Sequence, residues 1–285
     1  MRLCLLVVLA ACGNGHEEGV LDKQAAKGVF EEVPIPAPPG MSDLTLDDHG
    51  VMWAISERDR AVLQLELGKP PVVYPLEGVA PGIDTEAIAW LGDGKFAIGT
   101  EGNTEATASI MFAELEGQEL VVKRTRKLTS DELGVRLTEN HGIEALCASG
   151  DELLAATESV GKLPDGTRYS ALVRLPGEAL SVTKLRLTTK VGKISALYCT
   201  FAPDGTAEVL AIERHYSVSR ILSFTAQRDA AEITPKVELD LAPILHDSLN
   251  LEGIVRLPDG RLVAINDNQG ETVRGPTELL VFAKR

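Results

Sequence analysis

Carboxylates recur at matching places along this 285-residue sequence, and they are its first feature that could do chemistry. Short apolar runs open on Asp43, Glu86, Glu144 and Glu252, and a fifth opens on Ser195. A second apolar run follows each of these and closes on Glu57, Glu101, Glu158, Glu213 or Asp267. If both positions face one point, these nine carboxylates converge there. A charged pair at ~4 Å repels by roughly 1 kcal/mol even in water, and by several times that when partly buried. A bound cation, protonation or basic neighbours must offset this. Oxygen ligands of this kind suit Ca2+. The alternative is structural, with the carboxylates accepting backbone N–H bonds and stitching strands together. Basic candidates lie close in sequence: Arg58, Lys193, Arg214 and His215, with His141 and Arg274 nearby. Arg58, Arg214 and His215 are the candidates for holding an anionic ligand.

The elements that would position these residues are short strands. Between the paired runs lie Asp48-His49-Gly50, Asp93-Gly94, Gly150-Asp151, Asp204-Gly205 and Asp259-Gly260. Asp-Gly between apolar runs is a hairpin signal, because glycine accepts positive φ. The first strand runs away from its opening residue and the second runs back. Opening and closing residues therefore share one edge, and the turn aspartates occupy the other. Third and fourth apolar runs follow in the first four units. The fifth unit runs out of chain after three, and residues 28–35 could supply its missing strand. Units starting at 43, 86, 144, 195 and 252 predict an all-β fold. It is a β-propeller of five blades, its ring closed by an N-terminal strand. A six-bladed ring, with an irregular blade hidden in 102–140 or 214–250, is the alternative. The first strand of a blade lines the central channel, so the acidic residues should surround one mouth. Thr129-Ser-Asp-Glu132 has the capping-box pattern and predicts a short helix start.

The N-terminus has a different character. Arg2 precedes the apolar run Leu3–Ala11, which is shorter than the roughly 18 residues that span a bilayer. Its ending, Leu9-Ala10-Ala11-Cys12, resembles a bacterial lipobox. That resemblance implies a signal peptide over 1–11, lipidation of Cys12 and a flexible tether over 12–27. One propeller domain would fill 28–285. The expected location is the bacterial cell envelope, with Cys12 anchoring the protein to a membrane on the periplasmic or outer-membrane face. A formal charge of −14, from 28 basic and 42 acidic residues, argues against nucleic acid as a partner. A monomer is expected. Four cysteines are too few for a disulfide scaffold. Cys147 and Cys199 fall in the first strands of neighbouring units. A disulfide there is one outcome and a pair of buried thiols the commoner one. The histidines show no zinc spacing, and neither a Gly-x-Ser-x-Gly elbow nor a phosphate-binding run of Lys and Arg is present.

Seven motifs from four of the units carry a resemblance. They are Asp84-Thr-Glu86-Ala-Ile-Ala with Gly99-Thr-Glu101-Gly, and Gly142-Ile-Glu144-Ala-Leu with Ala156-Thr-Glu158. Leu210-Ala-Ile-Glu213-Arg214 and Asn250-Leu-Glu252-Gly-Ile with Asn266-Asp267-Asn268 complete them. Over roughly residues 40–285 the chain resembles the phytase-like family, labelled "esterase-like activity of phytase", and is similar to the SdiA-regulated bacterial propellers. The resemblance implies an extracytoplasmic propeller and calcium-dependent phosphoester or ester hydrolysis. Two functions therefore stand side by side. One is a lipid-anchored propeller whose acidic, Ca2+-binding mouth binds a small molecule or a protein. The other is a phytase-like, metal-dependent hydrolase, in which Arg58, Arg214 and His215 orient an anionic substrate. Propellers host both kinds of function.

Overall fold

A computed structural model of the protein describes residues 29–102, 106–150, 152–177, 179–245, 249–268 and 276–284. The leader 1–11, Cys12, the tether 12–27, Gly28, Asp151 and Arg274 lie outside them.

The apolar runs form antiparallel strands in chain order. After β1 (Phe30–Ile35) come β2 (Met41–Leu46), β3 (Met52–Ser56), β4 (Ala61–Leu65) and β5 (Val72–Glu77). The second group is β6 (Ile83–Gly92), β7 (Lys95–Gly102), β8 (Ala108–Glu116) and β9 (Glu119–Leu128), followed by helix α1 (Ser130–Leu133). The third is β10 (Ile143–Ser149), β11 (Glu152–Lys162), β12 (Arg168–Pro176) and β13 (Ser181–Arg186). The fourth is β14 (Lys193–Phe201), β15 (Ala207–His215), β16 (Val218–Ala226), the short β17 (Glu232–Ile233) and β18 (Lys236–Asp240). The last is β19 (Asn250–Arg256), β20 (Leu262–Asp267) and β21 (Thr277–Phe282). Here β1 pairs antiparallel with β21 and completes that sheet from the other end of the chain.

Among the described residues the strands thus make five four-stranded units. The innermost strands β2, β6, β10, β14 and β19 touch in succession, and β19 returns to touch β2. That closed circuit is a β-propeller. Unlike most sheets, the outer edges also pair. β5 runs parallel to β9, and β13 parallel to β17, joining neighbouring units at their rims. Such pairing covers edges that would otherwise offer open hydrogen-bonding groups.

Local chemistry explains the strands. At the Asp93-Gly94 turn both residues have positive φ, 51° and 74°, the twist that two-residue hairpins favour. Asp204 and Asp259 accept the N–H groups of Thr206 and Arg261, fixing the turns at the far edge. Thr129 and Glu132 close a reciprocal capping box at α1. Between units, apolar faces interlock. Ile110, Ile143, Leu153 and Val173 pack between the second and third units, and Ile212, Leu251, Ile254 and Leu280 between the fourth and fifth. Each fully buried side chain of this size contributes about 1.5–3 kcal/mol, so the ring is held mainly by sheet-to-sheet burial. Trp53 and Trp90 stack within one such layer. Trp53 also donates its indole N–H to Asp47 at 3.1 Å.

One expectation changes here. Cys147 on β10 and Cys199 on β14 are joined in a disulfide, rather than remaining as buried thiols. They occupy facing positions on adjacent innermost strands, with Cα atoms 5.7 Å apart, which is ordinary disulfide spacing.

Candidate functional site

The mouth of the channel is shaped by a defect repeated in every unit. In each first strand one extra residue is inserted opposite the second strand. The register steps from Met41 to Asp43, Thr85 to Ala87, Ile143 to Ala145, Ile194 to Ala196 and Leu251 to Gly253. The bulged residues are therefore Ser42, Glu86, Glu144, Ser195 and Glu252. A bulge re-aims one side chain and commonly sits beside functional sites. Two residues before it, the first strand meets the end of the second. There Asp84 faces Glu101, Lys193 faces Arg214 and Asn250 faces Asp267. Glu57 and Glu158 reach the same level, donating their N–H groups to Gly40 and Gly142.

This register moves two of the sequence candidates. Asp43 is one residue past the bulge and aligns with Ala87, Ala145, Ala196 and Gly253. It is fully buried, and its oxygens accept the N–H groups of Leu44 at 2.7 Å and Ile88 at 3.0 Å. Glu213 aligns with Ser56, Thr100, Thr157 and Asn266, one step short of the mouth. It is also fully buried and accepts the N–H and hydroxyl groups of Thr188 and Thr189, at 2.6–3.0 Å. Both are structural tethers rather than mouth ligands. Residue type alone aligns the openings and closings of the repeats, and it does not distinguish the matching acid from one a single place away.

The remaining carboxylates do meet. Glu57, Asp84, Glu86, Glu101, Glu144, Glu158, Glu252 and Asp267 share the mouth with Lys193 and Arg214. The Lys193 ammonium joins Glu158 and Glu144, the latter at 3.0 Å. The Arg214 guanidinium joins Glu252 and, at 3.4 Å, Glu144. Asn250 donates to Glu252 at 2.8 Å and to Asp267 at 3.4 Å. Burial and the charges of Glu144, Glu101, Glu57 and Glu252 hold Glu86 well above the ordinary carboxylate range. Burial and Glu144 push Glu101 up to about 7, against the Gly142 N–H and Lys193. Burial pushes Glu252 up to about 8, against Arg214. Burial opposes the charge of Arg214, but Glu252 and Glu144 push it further up. Gly142 is required at this place. A Cβ there would lie 2.4 Å from the Thr100 carbonyl and 2.6 Å from the Glu101 Cβ, and its N–H holds Glu101 at 3.1 Å.

Two carboxylate groups have oxygens close enough to share an ion, all within 4.8 Å of one another: Asp84–Glu86–Glu101 and Glu101–Glu144–Glu158. The donors are all carboxylate oxygens, which fits a hard divalent cation. The second group already holds the Lys193 ammonium, so the first is the better place for a metal ion. Asp84 was not among the sequence candidates. Its signal was present, because Asp84 and Glu86 stand two apart on one strand.

The family described as "Phytase-like: Esterase-like activity of phytase" matches residues 38–270. The chain belongs to this family. No curated protein matches it. Among solved structures, the phytase-like chain is similar to the PQQ-bound aldose sugar dehydrogenase of Streptomyces coelicolor. That match has 12% identity and a TM-score of 0.52, and covers 89% of this chain and 97% of that one. A putative oxidoreductase (glucose dehydrogenase) of Thermus thermophilus is 10% identical, with a TM-score of 0.51 and coverage of 89% and 100%. An exo-β-1,3-galactanase of Phanerochaete chrysosporium is 9% identical, with a TM-score of 0.56 and coverage of 88% and 64%. At these identities the likeness shows the shared fold alone.

Beside the mouth, the phytase-like propeller has a cleft of about 790 Å³ at the junction of the third and fourth units. Arg136, Arg168, Lys193, Arg214 and His215 all line it. Scattered along the chain, these residues form no run that the sequence could display, and Arg136 and Arg168 were missed for that reason. Arg58 does not join them. It stays with Glu57 on the first unit at 3.4 Å, largely exposed.

Proposed function

We propose that the mouth binds a divalent cation at Asp84, Glu86 and Glu101, and that the propeller uses this face to hold a ligand. The convergence of those three carboxylates carries the reading, since the ion pairs of Lys193 and Arg214 go to other acids. Calcium is the natural occupant, because it takes six to eight oxygens in flexible geometry. Glu144, Glu158 and Glu252 are balanced by Lys193 and Arg214 and act as supports. Glu57 and Asp267 lie at the rim within electrostatic reach. In the same reading Cys12 anchors the chain to an envelope membrane, supported by the lipobox-like Leu9-Ala10-Ala11-Cys12.

The second reading is hydrolysis of a phosphoester or ester, favoured by the family match and by cations lying next to carboxylates. A bound cation would supply Lewis acidity and a more acidic water. The chain's own part would be to orient an anionic substrate with Arg214 and His215 from the cleft side.

Calorimetric titration of EDTA-treated protein with calcium tests the first reading, together with the melting temperature. A ligand bound only by the native state must raise it. Saturable binding, abolished in Asp84→Asn and Glu86→Gln, supports the site; an unchanged melting temperature and no binding heat sink it. Calcium-dependent turnover of a phosphomonoester or ester panel, lost in the same variants, would establish the second.

A further inference from the structure

The cleft between the third and fourth units has a chemistry unlike the rest of the surface. The chain as a whole carries −14, yet Arg136, Arg168, Lys193 and Arg214 line this cavity against a single carboxylate, Glu158, which is paired with Lys193. Lys193 and Arg214 form the wall shared with the mouth, and their charges are engaged there by Glu144, Glu158 and Glu252. Arg136 and Arg168 are different. Arg136 is exposed and makes no ion pair among the described residues. Arg168 uses one N–H on the Gly192 carbonyl, at 2.8 Å, and burial lowers its pKa from the ordinary value. Arg168 is half-buried, makes no ion pair among the described residues, and feels the charge of Glu213. Ser219 also lines the cleft. It is 8% exposed, and its buried hydroxyl has no hydrogen-bond partner among the described residues. The rest of the lining includes the apolar Val191, Leu245 and Leu249, and Val191 is 44% exposed. A volume of about 790 Å³ lies in the range of small-molecule sites, which combine apolar walls with a few convergent polar groups.

We infer that this cleft binds a small organic anion, one carboxylate or phosphate head on an apolar body. Arg136 and Arg168 take the head and the Val191–Leu249 wall takes the body. Guanidinium groups suit both heads, because their paired N–H donors match two oxygens at once. The inference deepens the ligand-holding half of the function proposed above and does not require the cation.

Titration calorimetry on EDTA-treated full-length protein tests it, with phenyl phosphate, benzoate, inorganic phosphate and phenol as probes. Phenyl phosphate or benzoate should bind saturably and in a salt-sensitive manner, and which of the two is tighter identifies the head. Inorganic phosphate and phenol should each bind at least about tenfold more weakly, since each lacks half of the recognition. Arg168→Met and Arg136→Gln should each weaken the preferred probe by about tenfold or more. Arg136 is exposed, so its variant stays informative if Arg168→Met fails to fold. The inference is overturned if neither aromatic anion binds, if phenol binds as well as benzoate, or if Arg136→Gln binds like wild type. Binding that appears only after calcium is added would place the anion on the cation instead, and would overturn the cleft while leaving the metal site standing. Binding in EDTA with no calcium affinity would do the reverse.

Discussion

Lys193 and Arg214 face each other across the β14–β15 ladder at the level where Asp84 faces Glu101 on β6 and β7. One fold position thus carries a pair of cations in one unit and a pair of carboxylates in another. The basic pair reaches back over the mouth and neutralises the supports Glu144, Glu158 and Glu252, leaving the excess negative charge on the side of the second unit.

Removing either cation should expose that division of labour. Arg214→Met leaves Glu252 buried without its ion-pair partner and Glu144 with Lys193 alone, and should cost about 3–5 kcal/mol in chemical denaturation. Lys193→Met should instead free Glu158 and leave Glu144 only its longer contact with Arg214, so that a second calcium event appears in calorimetry. One unchanged binding event would show that Lys193 is not what keeps an ion from that group.

Glu213 offers the opposite test. Glu213 is fully buried, and its four hydrogen bonds come from the half-buried Thr188 and Thr189. Glu213→Ala should destabilise by roughly 3 kcal/mol while calcium affinity, measured on the folded protein, stays within about twofold. A large loss of affinity would restore Glu213 as a ligand.

The metal-free protein should weaken as pH rises. Glu101 titrates near 7 in the folded chain, against an ordinary 4.5. Between those values the folded chain keeps a proton that the unfolded chain has released, so stability falls with rising pH. Glu252, raised to about 8, and Glu86, also raised, act in the same direction. Thermal melts in EDTA should fall across roughly pH 5 to 8. The gain on adding calcium should grow over the same range, because the ligands must be deprotonated. A flat EDTA profile would show that the mouth carboxylates ionise normally.

The Cys147–Cys199 bond closes a loop of 52 residues between the third and fourth units. Chain-entropy reasoning assigns about 4 kcal/mol to a loop of this length. Reduction, or Cys147→Ala with Cys199→Ala, should lower the denaturation free energy by up to that amount. No shift would mean that the reduced chain loses no extra loop entropy on folding.

The propeller is legible in the sequence because its signals are local. Alternating apolar runs, Asp-Gly turns and a first strand opening on polar residues need only near neighbours, and they repeat. The same is true of Glu86, Glu101, Glu144, Glu158 and Glu252, which gather at one edge because antiparallel pairing returns the second strand to the start of the first. The places of Asp43 and Glu213 were not legible. A bulge adds one residue to one strand without marking the sequence, and a step of one turns a side chain from the mouth into the wall. The disulfide and the cleft depend on longer reach still. Cys147 meets Cys199, and Arg136 meets Arg168 and Arg214, only when successive units are packed around the axis. The sequence by itself determined the strand units, their order and the acidic character of one edge, all consequences of short-range periodicity. The tertiary structure alone decided which acids face one another, where cations cancel them and where a basic cleft opens, because those depend on register and on contacts between units far apart in the chain.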